Sequence, residues 1–200
     1  MYLWKTTRSP DDEAPASRPA LALVALTAFG LAACITILFV SMREILRLGG
    51  FVARGGPYEI AYPAPDWAWA IPVCIMAGFA FGILNIVAAP RARGFTLVLP
   101  AWAALFIALG WNFLEFGVHP PGDVQDTWVW IACGVLFWAM GLPAAVAIIA
   151  GWSPSQLPGG AQAGAWAQPV RARASYVVLN LVSIAVGIVA GATLFGALAG

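Results

Sequence analysis

The sequence predicts an all-α integral membrane bundle of five transmembrane helices, with the N-terminus inside and the C-terminus outside. Three observations support this. Hydrophobic residues make up 62% of the 200 and charged residues only 10%, where a soluble domain carries about 25% charged residues. Mean hydropathy is +0.85. Five uninterrupted apolar runs, at about 20–42, 67–89, 95–117, 127–150 and 175–199, each reach the roughly 20 residues a helix needs to cross a hydrocarbon core of about 30 Å. Strands of a membrane barrel would be about half that length and would alternate in polarity.

Span one follows a polar tail over 1–19 and is too long for the apolar region of a signal peptide, so it is expected to be retained. The remaining segments are too small to bury a core of their own, which leaves one membrane domain over 20–200. Lys5, Arg8, Arg18, Arg91, Arg93, Arg171 and Arg173 fall in the tail and in two Arg-Ala-Arg loops, while the 118–126 loop has no base. The positive-inside rule therefore puts the tail and both Arg-Ala-Arg loops in the cytoplasm. The expected location is a multi-pass protein of the cell membrane, inner or plasma. Trp67, Trp69, Trp128 and Trp130 open spans two and four on the opposite side, at headgroup level. On this layout seven bases face three acids inside, and three arginines (Arg43, Arg47 and Arg54) face six acids outside. Opposite charges thus mix on the outer side.

In span one, Thr27, Gly30, Cys34 and Ser41 recur at helical spacing, as do Cys74, Gly78, Gly82 and Asn85 in span two. Span five repeats the pattern with Asn180, Ser183, Gly187 and Gly191. Helices in lipid associate by close packing and hydrogen bonding, since lipid tails are as apolar as leucine. Gly78, Gly82, Gly187 and Gly191 are accordingly expected to be packing positions within the bundle; a sharper reading leaves a face on span five over for a second protein. Pro72, Pro100 and Pro143 are expected to kink their spans. Cys34, Cys74 and Cys133 have no redox or metal spacing and read as small apolar residues. Spans two and four both start Trp-x-Trp and are both followed by Arg-Ala-Arg, an echo that the needs of any descending and ascending helix pair explain without duplication.

Span three carries the candidate site. Ala101, Ala104, Ala108, Asn112, Glu115 and His119 share one face by steps of three and four. An ionisable group at the edge of a span is costly and needs a protein or water partner. The favoured partner of Glu115 is Arg43 or Arg47, which lie one turn apart on a continuation of span one. A second reading makes Glu115 and the arginines a binding site for a small polar solute. A third, a metal or proton-relay site on Glu115 and His119, needs Asp123 or Glu59 to complete it.

Between spans one and two, Gly49-Gly50 reads as a helix stop, Gly55-Gly56-Pro57 as a turn and Pro63-x-Pro65 as extended chain. Tyr58 and Tyr62 are expected to rest their rings at the interface while Glu59 and Arg54 stay polar. The stretch 49–66 is therefore expected to be an ordered cap over the outer ends of spans one to three. By contrast, 152–174 is rich in Gly, Pro, Ala and Gln and reads as a flexible cytoplasmic loop.

A single histidine and the lack of any haem, zinc, nucleotide or hydrolase motif argue against independent catalysis and against a cofactor. No basic patch suits nucleic acid. The expected partners are the lipid bilayer and other membrane protein subunits. The expected role is a non-catalytic subunit or assembly component of a larger membrane complex, with a small solute-binding or transport component as the alternative.

Overall fold

The computed structural model describes residues 17–49, 64–122, 127–149 and 174–200. Among them are five helices long and apolar enough to span a membrane, and no strands. These are α1 (Arg18–Arg47), α2 (Ala70–Arg91), α3 (Val98–Val118), α4 (Trp128–Ile149) and α5 (Ala174–Ala199).

α1 starts at Ser17, whose hydroxyl accepts the Ala20 amide at 3.3 Å as an N-cap. It ends at Leu48 and Gly49, the glycine adopting φ 84° in the left-handed region that ends many helices. A 3-10 turn, Asp66–Trp69, leads into α2. Pro72 and Pro100 are each the third residue of an α-helix, where the amide has little intrahelical role. The expectation of kinks at these two prolines is therefore corrected. Pro90 in the last turn of α2 and Pro143 in α4 are the prolines inside helices.

α1 is the hub, packing on α2, α3 and α5, whereas α4 packs chiefly on α3. The helices alternate in direction. Trp67 at the start of α2 meets Phe195 at the end of α5, edge to face at 5.0 Å. At the other end, the Tyr176 hydroxyl donates to the Phe95 carbonyl at 2.7 Å, tying the start of α5 to the α2–α3 turn.

Two glycine seams set the close contacts. Gly187 and Gly191 of α5 lie against the backbone of α1: a methyl at Gly191 would stand 2.7 Å from the Ala33 carbonyl oxygen, and one at Gly187 would strike that of Phe29. Between α3 and α4, Gly110, Gly117, Gly134 and Gly141 form the second seam; a methyl on Gly134 would come within 3.0 Å of the Gly110 carbonyl oxygen. The seven-residue step on both helices keeps one face in contact at a shallow crossing angle. Trp111 stacks on Trp138, and Phe113 on Phe137, beside this seam.

Gly78 and Gly82 differ from the expectation. A methyl at either would find its nearest neighbour at 4.0 or 3.9 Å, an ordinary contact. Here the small residue that matters is Gly30 on α1, which receives the Phe81 ring of α2, and that ring sets the helix separation.

Candidate functional site

Arg43 in the penultimate turn of α1 reaches Glu115 in the last turn of α3. Its Nη2 donates to Oε1 at 2.6 Å and its Nη1 to Oε2 at 2.7 Å, a bidentate pair. This is the strongest arrangement of guanidinium and carboxylate. Nη1 also donates to the Asn112 side-chain oxygen at 3.3 Å, and the Asn112 amide donates to the Phe39 carbonyl at 2.8 Å. The Trp111 indole donates to Glu115 Oε2 at 3.0 Å, and the guanidinium lies 5.1 Å from the centre of the buried Phe116 ring. Asn112 is fully buried; Arg43 and Glu115 keep about a third of their side-chain surface, 30% and 32%. A lone Arg or Asp at the centre of a membrane helix costs about 2.5–3.5 kcal/mol, so a pair of zero net charge near the helix ends removes most of that cost.

Neither Arg47 nor the His119 side chain hydrogen-bonds to this cluster. Arg47 bonds Glu44 on its own helix at 3.0 Å and is exposed. His119 is the exposed C-cap of α3, its backbone amide bonded to the Glu115 carbonyl at 2.8 Å. No group of three or more metal-ligating side chains occurs among the described residues. Tyr58, Glu59 and Asp123 lie outside the described residues, as do most of the proposed outer cap and of the 152–174 loop.

A second polar node lies toward the opposite end. Asn85 of α2 donates to the Thr27 hydroxyl of α1 at 2.8 Å and accepts the Leu97 amide at 2.7 Å, while Thr27 donates to the Val24 carbonyl at 2.9 Å. Leu97 is the N-cap residue of α3, so Asn85 satisfies a donor that the helix start leaves open. Both Asn85 and Thr27 are fully buried. One side chain thereby joins α1, α2 and α3.

Between the two nodes runs an apolar cavity of about 560 Å³. Ala101, Ala104 and Ala108 of α3 form one wall, α1 from Ala28 to Val40 the floor, and Ile184 and Ile188 of α5 the other wall. α3 and α5 make no substantial contact with each other, so the cavity is a groove open along that side. The face of span three thus divides: its alanines line the groove and its polar end lies beyond it. Arg43, Asn112 and Glu115 do not line the cavity; Asn112 bonds the carbonyl of Phe39, which does.

Sequence reasoning missed the Trp111 donor, although Trp-x-x-x-Glu is a readable one-turn spacing. It also missed the α3–α4 glycine seam, whose signal is the seven-residue glycine step in both spans. The groove has no such signal, because it arises from the separation of two helices that are distant in sequence. Comparison with protein-family models, with curated proteins and with solved structures finds no match to this chain.

Proposed function

We propose that the protein is a polytopic integral membrane protein of the cell membrane that serves as a non-catalytic subunit or assembly component of a larger membrane complex. The N-terminus faces the cytoplasm and the C-terminus the outside. One observation carries this reading: the polar groups at the candidate site are committed to one another. Arg43 is bound to Glu115 and Asn112, and Glu115 also to Trp111. The Glu115 carboxylate accepts from three donors there and is not free for proton transfer. Meanwhile α4 has one main neighbour and exposes Trp128, Leu136, Val146 and Ile149, a long apolar face beyond the bundle's own contacts. The solute-binding alternative has less support, since the cavity walls are apolar.

Extraction of the full chain in mild detergent, followed by mass determination of the particle, tests this reading. A particle holding a second protein at fixed stoichiometry, lost when α4 carries Leu136→Arg, is the expected result. A lone 21.0 kDa chain whose melting temperature rises with a small polar solute would overturn it in favour of transport.

A further inference from the structure

We infer that the groove between α1, α3 and α5 is a binding site for one acyl chain of a phospholipid, with the headgroup at the Arg43 end. The inference rests on the reading above that the helices lie in lipid. It is argued from the groove's dimensions and chemistry.

The floor runs from Ala28 to Val40, twelve residues or about 18 Å at helical rise. This is close to half of a hydrocarbon core, about 15 Å, the reach of one leaflet's chains. A hydrocarbon chain, whose carbons contact neighbours at about 3.5–4.0 Å, is about 4–5 Å across and lies within a groove of about 560 Å³ over that length. A partner helix with its side chains is about 10–12 Å wide and would stand proud of it.

The lining selects the same occupant. Its one polar side chain on the floor, Thr36, already donates to the Ala32 carbonyl at 2.9 Å. The groove therefore offers no hydrogen bond, and the alanine wall of α3 admits a smooth chain without branches. Its open side between α3 and α5 gives lateral entry. At the outer end, one turn beyond Phe39, stands Arg43. A guanidinium has five N–H donors, and Arg43 makes three bonds to Glu115 and Asn112. Two donors are left without a partner among the described residues, on a side chain 30% exposed. They suit a phosphate or ester oxygen at the level where a headgroup sits.

The test uses the full-length protein in phosphatidylglycerol vesicles doped with phosphatidylglycerol carrying a photoreactive acyl chain. Labelled peptides are mapped by mass spectrometry. Label is expected to concentrate on the 101–108 and 184–188 stretches. Ala104→Phe on one wall and Ile188→Phe on the other should each lower it about tenfold, as expected when several methylenes lose their buried site. Label on the outer face of α4 should not change. Using both walls guards against a variant that fails to fold.

Labelling spread evenly over α2, α4 and α5, or indifferent to both substitutions, would overturn the inference. So would a photoreactive residue at position 104 that captures a polypeptide and no lipid. Failure of the membrane reading is distinguishable, because the chain would then appear in the soluble fraction after cell breakage.

Discussion

Among individual residues, the two polar nodes make different demands. Glu115→Gln removes the charge opposite Arg43 and leaves a partly buried guanidinium held by amides alone. A fully buried pair would lose about 3–5 kcal/mol on losing one partner; with both groups about a third exposed (30% and 32%), the expected loss is about 1–2 kcal/mol. It is read as a lower melting temperature in detergent and reduced accumulation in membranes. Replacing both residues by apolar ones of similar volume should recover most of the loss, and a double-mutant cycle measures the coupling. Asn85→Leu strands the Leu97 amide and is expected to cost about 1–3 kcal/mol. Asn180→Leu provides the contrast. The Asn180 side-chain oxygen is buried without a partner among the described residues, and its amide donates to the Tyr176 carbonyl one turn back. That substitution should change stability by less than about 0.5 kcal/mol, or raise it.

Among the helices, the glycines separate into those that set a distance and those that do not. Gly187→Val and Gly191→Val drive side-chain carbon into the Phe29 and Ala33 carbonyls of α1. Each is expected to cost about 1–3 kcal/mol or to displace α5. Gly78→Ala adds a methyl with nothing nearer than 4.0 Å and should stabilise α2 by about 0.5–1 kcal/mol. Opposite signs in a thermal-shift measurement would support the assignment of contacts; equal destabilisation at 78 and 187 would refute it. The same contrast shows what the sequence carried. The spacing of small residues marks faces that tolerate approach, and it names Gly78 and Gly187 alike. Which face meets a carbonyl depends on the bulky residue opposite, here Phe81 against Gly30, and no single helix encodes that.

Across the whole molecule, the five apolar helices were legible because roughly 20 unbroken apolar residues leave little alternative. Their ends moved by only a few residues, and α1 continues to Arg47, as the helix stop read at Gly49-Gly50 requires. The pairing of α1 with α3 through Glu115 was legible as a need for a cation. The choice between Arg43 and Arg47 was also within reach, since Glu44 stands three residues before Arg47 and takes it. The groove was not legible, nor was the way α4 leans chiefly on α3. If the proposed orientation holds, a reporter fused after Gly200 reads as external and one inserted between α2 and α3 as cytoplasmic; the reverse pattern would invert every assignment of inner and outer. The position of α1 at the hub also bears on biosynthesis. α2 and α3 find their partner already made, and α4 needs only the helix just before it. α5 must return to the Phe29–Thr36 stretch of the first helix, which at about 5–20 residues per second waits roughly ten to thirty seconds for the ribosome to deliver it. During that interval α1 carries a bare, carbonyl-lined furrow, and the arrival of α5 closes it.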